Sequence, residues 1–427
     1  MSWPRYRSAP IVLGALALAL ASCASPTAES GGVQTESPTT AAELSSAAAD
    51  SIPVDHPASF PDPDVDRVTI APLPSTTQPL VFGAPTVAPF PPLTGWEAFD
   101  AYLNRTIIGG GSNAASVAVS IDGEIVHRAA MGVRSIGSFD LAEPQDRFRV
   151  ASISKTITAI TALQLVEEGL VGLDEPIGGL VAAGIGVEQP RAGTDAITLR
   201  HLLTHTSGFG QHENLFFRHQ VESCEEAARV GFQRSLHSTP GGGFRYSNMN
   251  FCVLGLLIEE VTGQPYEEVV YERLLTPLGI SGMRLAPTQD LGPDETEHRT
   301  TEGRNYMEVL GAAGAWIATP SDLVTIVDSL DPTTSGWKPL EPETVAMMKT
   351  SVNDPRVPDR GYGMGLILYG GGNSGHTGTI ESTHAMVLDR ADSVTWAITV
   401  SGPYPNDTPR LASIIDKALI AGGFISG

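Results

Sequence analysis

Ser152, Ser154 and Lys155 stand together in "RFRVASISKTITAIT", residues 147–161. Of 26 basic residues in the chain, the only lysines are Lys155, Lys338, Lys349 and Lys417. A helix starts in this stretch by its apolar spacing, and residues three apart on a helix share a face. The Lys155 amine can therefore reach the Ser152 oxygen. Ser154, next to the lysine in sequence, points off that face. A lysine whose pKa is lowered by its surroundings can accept a serine proton, which an arginine cannot. The helix N-terminus adds free amide donors and a dipole that favours negative charge, so the Ser152 amide is a candidate oxyanion donor. Taken alone, the stretch reads equally as a serine cap followed by an exposed lysine.

Two further clusters shift that balance. "GGGFRYSNMN" supplies Tyr246 and Asn248 just ahead of an apolar helix. A tyrosine hydroxyl can share a proton with lysine, and an asparagine amide can orient substrate and lysine together. "GGGNSGHTGTIE" supplies His376, Thr377, Gly378 and Thr379 after a run of glycines. An edge strand there could accept a substrate backbone alongside it. A solvated histidine in a hairpin loop is the plainer reading of that cluster.

Recognisable elements frame these clusters. "TGWEAFDAYLNRTI" places Trp96, Phe99, Leu103 and Ile107 on one helical face, and "ASVAVSIDGEIVHRAAMG" reads as a hairpin turning at Asp122-Gly123. The helix after Ser152 has an expected buried stripe of Ile153, Ile157, Ile160, Leu163 and Val166, closed by Gly169. Residues 172–350 read as helices and loops, with "HLLTHTSGFG" as a turn and "YSNMNFCVLGLLIEEVTG" as an apolar helix. "STHAMVLDRADSVTWAITVSG" reads strand, turn, strand, and "TPRLASIIDKALIAG" as a closing helix. The economical architecture is α+β: one antiparallel sheet built from both chain ends, covered by helices, with a helical subdomain inserted between the halves.

The first 92 residues are different material. Residues 1–22 carry Arg5 and Arg7, then the apolar core "IVLGALALAL", which together lay out an export signal. Leu20-Ala21-Ser22-Cys23 resembles a bacterial lipobox, which makes Cys23 the expected lipidation site and places the protein on the extracytoplasmic face of the cell membrane. Residues 23–92 hold 13 of the 32 prolines and no lysine, and read as a tether to a folded domain at 93–427. A net charge of −22 argues against nucleic acid as a partner. No metal-ligand spacing of Cys and His is present, and no cofactor or obligate protein partner is expected. Cys224 and Cys252 read either as a disulfide or as two buried free thiols.

S-x-x-K, then Y-x-N, then H-x-G, in that order, resembles the serine β-lactamase and penicillin-binding family. The chain looks most like the branch that holds class C β-lactamases, D-alanyl-D-alanine carboxypeptidases and related esterases. "HLLTHTSGF" at 201–209 and "GAAGAWIATPSDL" at 311–323 resemble that branch too. The resemblance implies a β-lactamase/transpeptidase-like fold and acyl transfer through an acyl-enzyme, on a small-molecule or peptidoglycan-peptide substrate. It implies Ser152 as nucleophile, Lys155 as its proton partner and Tyr246 as base or shuttle, leaving open which of the last two takes the first proton. It places Asn248, His376, Thr377 and Gly378 on the substrate, with the amides of Thr379 and Ser152 forming the oxyanion hole.

Two departures stand out. Many members of the family carry lysine where His376 stands. Histidine titrates near neutrality, so its charge is conditional. The resemblance implies a D-alanyl-D-alanine carboxypeptidase-like or β-lactamase-related hydrolase, with an esterase of the same family as the alternative. The histidine weakens the expected dependence on a substrate carboxylate and efficient β-lactam hydrolysis, and strengthens esterase chemistry, although the carboxypeptidase branch includes His-Thr-Gly members. Glu381, just beyond Thr379, is expected to face solvent. A catalytically inactive binding lipoprotein on the same fold is the reading from another class, and the complete motif set disfavours it.

Overall fold

The computed structural model describes residues 93–352 and 358–425. The expected signal peptide, Cys23 and the tether lie outside the described residues.

Strand β1 (Ala114–Ile121) is buried along nearly its whole length and forms a hairpin with β2 (Glu124–Gly132), whose residues alternate exposed and half-buried. Such alternation marks a sheet edge with one wet face. The other strands of the large sheet come from the chain's end: β6 (Arg360–Tyr362), β7 (Ile367–Gly370), β8 (Asn373–Ile380), β9 (Thr383–Asp389) and β10 (Val394–Ser401). The order is β2-β1-β10-β9-β8-β7-β6, antiparallel throughout, so β1 from the first half pairs with β10 from the last. The expected sheet built from both chain ends is what forms.

One face of this sheet is covered by the first helix, Gly95–Leu103, and the last, Arg410–Gly422. Phe99, Leu103, Val117, Trp396, Leu411 and Ile415 form one apolar cluster there. The other face carries the helix Ser154–Glu167 and the inserted helices. The insertion also contains β4 (Arg284–Leu285) and β5 (Trp316–Ala318), which join β3 (Phe148–Arg149) in a small sheet of order β3-β5-β4. These strands of two or three residues carry too little alternation to be read from sequence. "HLLTHTSGFG" is also more than a turn: Leu199–Leu203 is a short helix, capped reciprocally by Thr198 and His201.

The Ser154–Glu167 helix corrects the amphipathic expectation. It is buried on every side from Ser154 to Leu165, Lys155 included. Its polar side chains find internal acceptors, as the hydroxyl of Thr156 does at the Gly365 carbonyl (2.8 Å) and that of Thr158 at the Ala312 carbonyl (2.7 Å). A helix can be central despite such residues when each is satisfied. Cys224 and Cys252 are joined as a disulfide, Cα to Cα 5.6 Å, across 28 residues of chain. A closed loop of that size is worth about 3–4 kcal/mol in the chain-entropy account.

Candidate active site

Ser152 is presented by a bend. Ala151 has φ of +48°, a left-handed value that costs a non-glycine residue of order 1 kcal/mol. A 3-10 turn, Ala151–Ile153, follows and runs into the Ser154–Glu167 helix. Ser152 stays half-buried while its neighbours Ala151 and Ile153 are sealed. Ser154 faces away, and its Oγ accepts the Trp316 amide at 3.2 Å, tying the helix to β5.

The Lys155 amine reaches Ser152 Oγ at 3.0 Å, Asn248 Oδ1 at 2.8 Å and the Ala313 carbonyl at 2.7 Å. Its three hydrogens thus have three acceptors. It also lies 5.0 Å from the Tyr246 ring centre and 5.8 Å from that of Phe251, in cation–π range. Burial pushes the ammonium down to about 7, with the Glu213 carboxylate partly opposing. Tyr246 is hydrogen-bonded to Ser152, and burial raises its hydroxyl well above the ordinary tyrosine value. The predicted reacting groups Ser152, Lys155 and Tyr246 and the predicted orienting residue Asn248 therefore meet at one point. The tyrosine contacts the serine with its hydroxyl and the lysine with its ring.

β8 borders this cluster. It pairs with β9 from Ser374 to Ile380 but with β7 only as far as Gly375, so one edge of Thr377–Ile380 carries no partner strand among the described residues. Gly378 lies against the bend before Ser152: a Cβ there would stand 2.0 Å from the Val150 carbonyl oxygen, so only glycine allows this approach. Thr379 is exposed, its hydroxyl 2.6 Å from that of Thr408.

His376 departs from its expected character. It is 1% exposed. Its Nδ1 donates to the Thr377 carbonyl at 2.7 Å, and its Nε2 meets the Tyr362 hydroxyl at 3.1 Å. Burial, with Lys155 adding to it, lowers its pKa to about 3. The expected conditional charge near neutral pH gives way to a ring that burial holds neutral in that range. Glu381 is also corrected: it does not simply face solvent but accepts from the Thr301 amide (3.0 Å) and hydroxyl (2.9 Å), pinning the 296–305 loop to the β8–β9 tip.

Three contributors were not singled out as residues in the sequence, although His205 and Ala313 lie in the two stretches that resemble the family. Ala313 acts through a carbonyl, which no side-chain pattern reveals. Glu213 opens a five-residue helix, Glu213–Phe217, and reaches the site because the Ser247 hydroxyl holds the Gly210 carbonyl at 2.7 Å beside Tyr246. His205, fully buried with φ of +56°, packs its ring at a tilt against Tyr246 and Tyr362, centres 4.3 Å and 4.8 Å away, and its Nδ1 faces the Asn250 amide at 2.8 Å. Burial and the nearby lysine hold His205 neutral. The Glu213 contribution is measurable. Glu213→Gln removes the charge that supports the ammonium, so the acid limb of the rate profile should move to lower pH. The shift should be about a few tenths of a unit and shrink in high salt, because Glu213 is exposed. A pH titration of ester hydrolysis reads this directly, and a shift toward higher pH would contradict the coupling.

The chain belongs to the Beta-lactamase family, whose model it matches over residues 99–419. That family of β-lactamase-fold serine hydrolases counts penicillin-binding proteins, esterases and amidases. The chain is 31% identical over 199 residues to esterase EstB of Burkholderia gladioli, covering 43% of this chain and 48% of the esterase. It is 30% identical over 247 residues to monacolin J acid methylbutanoyltransferase of Aspergillus terreus, covering 50% of this chain and 59% of that enzyme. The match thus spans about half the length of such curated relatives. The fold is shared with the octameric penicillin-binding protein homologue from Pyrococcus abyssi at TM-score 0.63 and 21% identity, over 77% of each chain.

Proposed function

We propose that this protein is an extracytoplasmic, lipid-anchored serine hydrolase that forms an acyl-enzyme on Ser152 and acts on esters or amides without requiring a substrate carboxylate. The neutral, buried His376 carries this reading. A carboxypeptidase for D-alanyl-D-alanine ends must hold a terminal carboxylate, and the H-x-G position offers it no charge. Lys155 is committed to Ser152, Asn248 and Ala313, and the other charge near the amine is the Glu213 carboxylate, which repels anions. The likeness to an esterase supports the same side of the family. The lipid anchor rests on Leu20-Ala21-Ser22-Cys23 alone.

In this reading the neutral Lys155 amine takes the Ser152 proton as Oγ bonds to the substrate carbonyl carbon. A Lys155 pKa of about 7 makes the amine available at neutral pH, whereas burial keeps Tyr246 protonated. The lysine, not the tyrosine, is therefore the first base. Tyr246, hydrogen-bonded to Ser152, relays a proton to the leaving group as its bond to the carbonyl carbon breaks. The amides of Ser152 and Thr379 receive the oxyanion. Asn248 steadies the amine and the acyl group, Thr377 lies beside the substrate, and the buried His376 and Gly378 hold that strand in place from behind. Water then cleaves the acyl-enzyme.

The test is a panel of p-nitrophenyl butyrate, a D-Ala-D-Ala peptide and a chromogenic cephalosporin, each run against Ser152→Ala. The C-terminal amide of the same peptide, added to the panel, should be turned over at least as well in kcat/KM as the free acid, because no charge at the H-x-G position rewards a carboxylate, while the activated ester reports acyl-enzyme formation alone. The reverse order would favour the carboxypeptidase reading.

A further inference from the structure

The disulfide stands one helical turn behind the reacting groups. On the helix Asn248–Thr262, residues Asn248, Cys252 and Gly255 are spaced i, i+4, i+7 and share one face. Asn248 offers its Oδ1 to Lys155, and Cys252 is bonded to Cys224. Gly255 receives Ala312: a Cβ at Gly255 would lie 2.6 Å from that of Ala312. The turn Gly311–Ala313 runs along the same line. Gly311 has φ of +47° and its Cβ position lies 3.4 Å from Cys224 Cβ. Ala313 then offers its carbonyl to Lys155. The two acceptors that fix the amine therefore sit on two pieces of chain that pack together at Gly255 and Ala312, and the disulfide anchors the helix of the first to the helix Cys224–Gln233.

We propose that the Cys224–Cys252 disulfide is a positioning element for Lys155: it fixes the Asn248 helix to the helix Cys224–Gln233, and so steadies the Gly311–Ala313 turn that packs on the Asn248 helix, with the amine aimed at Ser152. The inference rests on Ser152 and Lys155 being the reacting pair. When the amine is neutral, two hydrogens remain on Asn248 Oδ1 and the Ala313 carbonyl, and the lone pair is left facing the Ser152 hydroxyl. If either acceptor drifts, the amine rotates about its last bond and the lone pair leaves the serine. The other groups facing the amine supply no substitute: Tyr246 presents its ring, His205 and His376 are neutral, and Glu213 acts through its field. A loosened frame also admits water, and relief of desolvation moves the amine's titration upward.

The experiment measures p-nitrophenyl butyrate hydrolysis by the full chain across pH 5–10 in three forms. These are the oxidised protein, the protein treated with dithiothreitol, and the Cys224→Ala/Cys252→Ala double variant. Dithiothreitol passes two electrons and two protons to the bond, leaving two thiols and its own cyclic disulfide. Without the clamp, kcat at pH 7 should fall about tenfold with KM nearly unchanged. The acid limb should move up by about half a unit. Gly311→Ala keeps the disulfide but strains the turn, because a φ of +47° is one that L side chains rarely adopt. It should move the limb the same way, which keeps the proposal testable if the reduced forms unfold. An unmoved limb, or an equal loss at every pH in folded protein, overturns it. Oxidised protein that neither turns over the ester nor takes a fluorophosphonate label at Ser152 would instead refute the underlying reading.

Discussion

Replacing Ser152 with alanine is expected to abolish covalent labelling by a fluorophosphonate probe and to lower ester hydrolysis by at least about 10³-fold. The reason is geometric. Ser152 alone has its Oγ within 3.0 Å of the buried amine, and it sits on the strained bend after Ala151, half-open to substrate. Ser154→Ala is the informative control. It deletes the hydroxyl that receives the Trp316 amide and leaves a buried donor unpaired, so it should cost about 1–3 kcal/mol in stability. Labelling at Ser152 should nevertheless persist. Intact-mass spectrometry after labelling, with a thermal melt of each variant, separates the two effects. A label that survives in Ser152→Ala would remove this serine from the chemistry.

That Ser152 and not Ser154 shares a face with Lys155 was legible from spacing, because helical geometry is local. So were the hairpin at Asp122-Gly123, the long helices and the pairing of the two chain ends, each carried by a periodic run of side chains. What sequence did not show was depth. Lys155 and His376 are polar residues next to polar residues, and nothing in their neighbourhood along the chain marks them as sealed. Their burial arises from contacts far away in sequence: Asn248, Ala313 and Phe251 around the lysine, Tyr362 around the histidine. Desolvation sets both pKa values, so the charge state of the site could be stated only after the fold. The same holds for Glu381, whose partner Thr301 is 80 residues away. Cys224 and Cys252 were undecided for the same reason, since bridging is a matter of Cα distance.

Depth also yields the second large expectation, in the response to pH. With Lys155 as base, the active form is the neutral amine, so activity should rise as pH increases through about 7 and then level off. Were tyrosinate the base, burial would push the rise far into the alkaline range, beyond the ordinary tyrosine value. His376 should add no step near neutrality, because it is already neutral above about 3. Lys155→Met fills the stem's volume and deletes the amine. Its rate should fall by about 10²–10⁴-fold, the usual worth of a positioned base, and its remaining activity should lose the step near pH 7. The variant is expected to fold, because an apolar stem avoids the desolvation of a buried ammonium and so offsets the bonds lost at Asn248 and Ala313. A cooperative melt checks that point. If the step near pH 7 remains in Lys155→Met, another group carries it, and the lysine is only a scaffold for Asn248.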